Sequence, residues 1–280
     1  MDTTFKLQIA GLLLSLCCFQ YQSKAQDTLY VDAGGFDLRM VKKGNGTGPT
    51  IIMEQGLGMQ LEWWFGLDDS LTRHGTVVTY DRAFLGKSGK GNTDRTGKVV
   101  AAELKVALDN AGIQPPYILV GFSIGGYYMK AFARANPDES KGLLLIDPLN
   151  TEEFYKEWET AFPESYQWAF SQTGKSISDE VKFALGGVYG NDGIPSKIPT
   201  QLLIAALPST SGENEEPPYE NYDEDDKAVQ RLWIDHLLKW ASRYSNVKMK
   251  IVEDTDHFIH ANQIDAVLEA FDELLEALKN

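Results

Sequence analysis

Cysteine is almost absent from this chain: two copies occur in 280 residues, Cys17 and Cys18, both near its start. Without the first 25 residues no disulfide, cysteine nucleophile or thiolate metal site is available. Histidine is scarce as well, with four copies, so chemistry that needs an imidazole has few candidates. Basic residues are in deficit, 26 Lys and Arg against 40 Asp and Glu, for a formal net charge of −14. That balance disfavours nucleic acid and anionic membrane surfaces as partners, because binding to phosphate needs Lys and Arg. Long apolar runs are missing apart from Leu7 to Phe19, which is too short to span a bilayer comfortably. No repeat of fixed period appears.

That apolar run belongs to a leader. Lys6 and the terminal amine precede it, and Ser23 and Ala25 offer small residues at the −3 and −1 places. Cleavage is expected before Gln26, giving a signal peptide at 1–25 and a single domain at 26–280, periplasmic or secreted. The alternative is a lipid anchor at Cys17 or Cys18, but Leu16 and Cys17 are poor residues to precede a lipidated cysteine. No stable membrane insertion is expected once the leader is gone, and the oligomeric state is not legible. The remaining ~255 residues suit one α/β domain. Apolar residues at 43% suffice for a full core, and charged residues at 24% argue against disorder.

Short apolar runs read as buried strands at Thr50–Met53, Thr76–Tyr80, Tyr117–Val120, Leu143–Ile146, Thr200–Leu207 and Val247–Val252. Helices are expected at Val99–Ala111, Tyr127–Ala135, Lys227–Tyr244 and Gln263–Lys279, and an edge hairpin at Asp27–Lys43. Unalternated strands separated by helices point to an α/β fold with a mostly parallel sheet covered on both faces. Between Leu149 and Ile198 there is no strand pattern. Phe154, Tyr155, Trp158, Phe162, Tyr166, Trp168 and Phe170 crowd one helical stretch there, and Ser178–Leu185 reads as a second. Such a stripe serves as core packing or as the wall of an apolar pocket under a small helical lid, at approximately 149–198. Eight carboxylates and no Lys or Arg lie between Glu213 and Asp226. That run reads as a solvated loop, and it lacks the spacing of an EF-hand calcium site.

The chemistry centres on Tyr117 to Met129, YILVGFSIGGYYM. A buried strand runs into Gly121-Phe122-Ser123-Ile124-Gly125, and a helix follows at once. This is the context of a G-x-S-x-G nucleophile elbow, whose sharp turn exposes the serine hydroxyl and tolerates only small residues on either side. Ser123 is therefore the candidate nucleophile. His257 follows the last strand and so stands at the same carboxyl edge of the sheet. His74 precedes a strand, at the opposite edge. His236 is mid-helix, and His260 starts the next helix. For the orienting acid, Asp147 ends a strand, while Glu213, Glu215 and Glu216 lie a few residues beyond the next one. A rigid strand end orients an imidazole better than a flexible loop, which favours Asp147. Backbone N–H groups of Ile124 and of Leu57, in Gln55-Gly56-Leu57-Gly58, are candidate oxyanion donors.

These features together resemble the α/β-hydrolase fold family, over nearly all of Phe36 to Leu278. The resemblance rests on the elbow, the Gln55–Gly58 loop, Tyr80-Asp81-Arg82 with Gly86-Lys87-Ser88, and Pro116–Gly121. Leu144–Pro148 and His257–His260 add to it. It implies a mostly parallel sheet of the eight-strand type, with Ser123, Asp147 and His257 in the family's nucleophile–acid–base order. It also implies a serine hydrolase without cofactor or metal, acting on a small-molecule ester by way of an acyl-enzyme. Amide, peptide and C–C bond hydrolysis use the same triad, and a non-catalytic binding protein could retain the fold. Three positions depart from the family: Gln55 and Phe122 stand where histidine is common, and Asp256 where glycine is usual. Asp256 places a carboxylate beside the base.

Overall fold

The computed structural model describes residues 26–44, 46–171, 193–208 and 223–279. The proposed leader with Cys17 and Cys18, the helical piece at 178–185 and the acidic residues Glu213, Glu215 and Glu216 lie outside them. Eight strands form one sheet: β1 (Gln26–Asp32), β2 (Asp37–Lys43), β3 (Thr50–Glu54), β4 (Thr76–Tyr80), β5 (Tyr117–Phe122), β6 (Ser140–Ile146), β7 (Thr200–Ala205) and β8 (Val247–Val252). Their spatial order is β1-β2-β4-β3-β5-β6-β7-β8. The β1–β2 and β2–β4 pairs are antiparallel, and every pair from β4 to β8 is parallel. The helices are α1 (Leu67–Leu71), α2 (Gly97–Asn110), α3 (Ile124–Ala135), α4 (Glu152–Ala161), α5 (Pro163–Ser171), α6 (Glu224–Ala241), α7 (Ile259–Asn262) and α8 (Ile264–Ala277).

The unalternated apolar strands arise because helices cover both faces of the sheet. Ile52, Leu119, Leu143, Leu145, Leu202 and Ile204 pack on one side with residues of α2, α3 and α6. Their neighbours Ile51, Met53, Ile118, Val120, Leu144, Ile146 and Leu203 pack on the other with α8. Successive side chains on a strand point to opposite faces, so a strand covered twice is apolar at nearly every position. In the central parallel strands, Glu54 pairs with Gly121, Phe122 with Ile146, and Ile146 with Leu203. Their carboxyl ends therefore open onto one edge.

Three details differ from the sequence reading. The last strand, β8, is not buried: Lys248, Met249, Lys250 and Ile251 are all exposed, because β8 pairs only with β7 and lies at the edge of the sheet. A short helix, α1, fills the connection from β3 to β4, where no helical period is visible. The acidic run is not all loop. Its last four residues build the start of α6, with Asp223 Oδ1 accepting from the Asp226 N–H at 2.8 Å and Glu224, Asp225 and Asp226 in the first turn. Carboxylates there satisfy exposed amides and face the positive end of the helix dipole. The insertion after β6 is helical as expected, and Thr151 caps α4 through the Phe154 N–H.

The α6 cap carries a prediction. Asp223→Ala should destabilise the protein by about 1 kcal/mol, lowering Tm by roughly 2–4 °C for a domain of this size. Thermal unfolding of the two proteins side by side checks it, and an unchanged Tm refutes the cap.

Candidate active site

The strand-to-helix turn after β5 is as tight as its glycines demand. A Cβ at Gly121 would lie 2.6 Å from the Gly125 carbonyl oxygen and from the backbone of Gly126. A Cβ at Gly125 would lie 2.2 Å from the Glu54 carbonyl oxygen. The first contact closes the turn, and the second seats the start of α3 on the loop leaving β3. Between them Ser123 adopts φ 53° and ψ −124°, a conformation that costs on the order of 1–3 kcal/mol for a residue with a side chain. Its N–H donates to the Ile146 carbonyl at 3.0 Å, tying the strained residue to the neighbouring strand. Its side chain is partly exposed.

Asp147 leaves β6 with a positive φ of 38°, and its N–H donates to the Leu203 carbonyl at 2.8 Å. Its carboxylate meets His257, Oδ2 to Nδ1, at 2.6 Å. The other oxygen, Oδ1, accepts from the Ala205 N–H and from the indole Nε1–H of Trp233, each at 3.1 Å. An ionised carboxylate can only accept, so Nδ1 of His257 is the donor in this pair. The imidazole is walled by Phe122, with ring centroids 4.7 Å apart, and met edge-on by Trp233 at 6.0 Å. Ser123 Oγ and His257 Nε2 share no hydrogen bond here; contacts of this kind commonly tighten when substrate binds.

The loop after β3 is held from below. Arg82 Nη1 donates to Glu54 Oε1 at 2.6 Å and to the Gln55 carbonyl at 2.7 Å, and Nη2 donates to the Gly56 carbonyl at 2.9 Å. Tyr80 donates its hydroxyl proton to Glu54 Oε2. The Gly56 N–H is taken by the side chain of Gln55 at 3.2 Å. Among the described residues neither the Leu57 nor the Ile124 N–H donates a hydrogen bond. Leu57 packs against the cluster that Ile124, Tyr127 and Tyr128 of α3 form with Val100, so the loop bearing one donor lies against the helix that bears the other.

The structure thus brings Asp147 and His257 into direct contact and sets the Leu57 loop against the helix that Ser123 caps. His74 lies away from them, beside Asp272 at 3.2 Å, and His236 reaches Glu157 at 3.0 Å. The three departures from the family find local uses. Phe122 meets both His257 and His260 in tilted ring contacts, and Gln55 closes on its own loop. The Asp256 carboxylate accepts from the Phe258 N–H at 3.0 Å and from the Asn262 amide at 2.8 Å, which shapes the turn into α7. Trp233 is a site residue that the sequence shows only as one of the apolar positions of α6. Its indole N–H gave no signal, because the contact joins residues 86 positions apart.

Residues 49–174 match the alpha/beta hydrolase fold family. An uncharacterized Bacillus subtilis protein, YqjL, is 36% identical over 107 residues, which is 38% of this chain and 42% of that protein. A putative carbamate hydrolase, RutD, of Azorhizobium caulinodans is 27% identical over 115 residues, 41% of this chain and 43% of that one. The chain spans less than half the length of either relative. A thermophilic esterase of Thermogutta terrifontis superposes with a TM-score of 0.60 at 18% identity, covering 91% of this chain and 100% of that one. With its eight-stranded, mostly parallel sheet flanked by helices, the chain has the α/β-hydrolase fold.

His260 lies directly behind the site. It is wholly buried, with its ring centroid 4.3 Å from that of Phe122 and 5.4 Å from that of Trp64. Burial, with a smaller push from His257, lowers its pKa to about 3; the Trp63 backbone opposes this without forming a full hydrogen bond. The ring is therefore neutral in the folded protein, whereas the unfolded chain takes up a proton below about pH 6.5. The unfolded state binds more protons across that window, so stability is complete above pH 6.5 and is lost as pH falls toward 3. Between pH 6.5 and 5 this single group should remove roughly 1–2 kcal/mol. His260→Phe should flatten that part of the stability–pH curve, measured by urea unfolding at each pH. An unchanged slope refutes the assignment.

Proposed function

We propose that this protein is a serine hydrolase that cleaves carboxylic esters of small molecules through an acyl-enzyme on Ser123. The reading is carried by the 2.6 Å contact of Asp147 with His257 at the edge where Ser123 is held in its strained turn. Ser123 Oγ attacks the ester carbonyl and its proton passes to His257 Nε2. The carbonyl electron pair moves onto oxygen, which the N–H groups of Leu57 and Ile124 receive. Collapse expels the alcohol, protonated by His257, and leaves the acyl group on Ser123. Water, deprotonated by the same imidazole, then releases the acid. Asp147 keeps Nδ1 protonated and the ring oriented throughout. The scheme calls on no metal or cofactor.

Ester cleavage is favoured over amide cleavage by the similarity of the fold to that of an esterase. An apolar substrate group is favoured by Phe154 and Tyr155 of the insertion, which pack with Leu57, Leu149 and Trp233 close to the site. We further propose that the working form is the exported chain freed of residues 1–25, as its leader pattern suggests.

Labelling with a fluorophosphonate probe tests the nucleophile. Wild-type protein should be labelled and Ser123→Ala should not; an unlabelled wild type sinks the enzyme reading. Asp147→Asn should keep the Oδ1 contacts but present an amide to Nδ1, forcing the wrong tautomer and lowering kcat by on the order of 10⁴-fold. Full activity in that variant would pass the acid role to another residue. p-Nitrophenyl esters of rising chain length should be turned over and the matching p-nitroanilides should not, and a preference for the anilides would replace the esterase reading with an amidase one.

A further inference from the structure

We propose that Arg82 is a positioning residue for the oxyanion site, acting by holding two consecutive peptide groups of the loop that bears Leu57. The proposal rests on the serine-hydrolase reading above and names a residue that reading does not use. Arg82 and Glu54 are 2% and 0% exposed, so both charges are out of water. The guanidinium reaches three oxygens: Glu54 Oε1 at 2.6 Å and the carbonyls of Gln55 and Gly56 at 2.7 and 2.9 Å. It also lies 5.2 Å from the centroid of the Tyr128 ring, on the underside of α3. One planar fork therefore touches the strand end, the loop and the helix that carries Ile124.

The orientation of the loop follows from peptide geometry. A trans peptide is planar and points its carbonyl and the following N–H in opposite directions. The Gly56 carbonyl is drawn down to Arg82 and also accepts from the Met59 N–H at 3.4 Å, so the Leu57 N–H is turned away from the buried guanidinium. The Gln55 carbonyl is held the same way, but the N–H that follows it, on Gly56, is already taken by the Gln55 side chain. Leu57 is left with an N–H that donates to no described residue and whose direction is set before substrate arrives. An oxyanion site works because its donors need no reorientation during reaction. Arg82 makes the Leu57 donor rigid in that sense, and Glu54 with Tyr80 keeps the guanidinium in place.

Lysine cannot replace this fork, since a single ammonium does not span three oxygens in one plane. Arg82→Lys is the first variant. Glu54→Gln/Arg82→Met is the second, because removing both buried charges is tolerated far better than stranding one. Fluorophosphonate titration counts active sites in each preparation, so that rates are given per competent site. The expected result is kcat lowered on the order of 10²-fold, as when one oxyanion donor is lost, with KM within about threefold of wild type. The affinity for a trifluoromethyl ketone should fall by the same factor as kcat/KM. Ser123 Oγ adds to that ketone, its proton passes to His257, and the resulting oxyanion must sit on the two N–H groups. A merely structural role would lower Tm and the titrated fraction but leave ketone affinity per site intact. Titrated variants with kcat and ketone affinity within threefold of wild type overturn this proposal alone. A wild type that fails to titrate overturns the serine-hydrolase reading and this proposal with it.

Discussion

The close approach of two backbones organises this molecule. Gly125, at the start of α3, lies so near the Glu54 carbonyl that any side chain at 125 would occupy the same space. That contact brings together the end of β3 and the turn after β5, which are neighbours in the sheet but about 70 residues apart in sequence. Around it the strand ends of β6, β7 and β8 deliver Asp147, Ala205 and the turn with His257 to the same edge. The strain at Ser123 is sustainable because these surroundings are rigid: its N–H is bonded to β6 and the glycines beside it are packed against backbone.

Polar groups buried in such a place must be paired, and here they are paired in a way that bears on chemistry. The Asp147 carboxylate has a donor for each oxygen, with Trp233 and Ala205 on one side and His257 on the other. Glu54 is held between Tyr80 and Arg82, and Arg82 in turn holds two loop carbonyls. A buried ion pair contributes little net stability against an apolar alternative of similar shape, so its value lies in what it orients. Among the described residues His260, like Gln55 Nε2 and Trp64 Nε1, is an exception, buried without a well-formed hydrogen bond. Its surroundings are the rings of Trp64, Phe65, Phe122 and Phe258, which favour the neutral form and fill the space behind His257.

Much of the fold was legible because its physics is local. A strand covered on both faces has few polar positions, so Ile51–Met53 and Leu143–Ile146 declared themselves. Helices announced themselves by period and by their stops, as at Gly112 after α2. Where the local signal was weak the reading slipped. β8 carries Val247, Met249, Ile251 and Val252 but alternates them with Lys248 and Lys250, and its place at the sheet edge leaves Met249 and Ile251 exposed. The acidic run looked like loop throughout, although its last residues serve as cap and first turn of α6, a role decided by the helix that follows.

Sequence alone determined the class of fold, the elbow and the short list of imidazoles, because each depends on residue type at fixed spacing. Glycines flanking Ser123 and a histidine after the last strand need no distant partner to be recognised. Tertiary structure decided what distance in the chain concealed. Asp147 and His257 are 110 residues apart, and their contact depends on how β6, β7 and β8 lie side by side. The indole of Trp233 on Asp147 and the guanidinium of Arg82 beneath the Leu57 loop depend on the direction of single hydrogen bonds. No periodicity encodes such directions, because they are set only when the packed elements leave each donor one acceptor within reach.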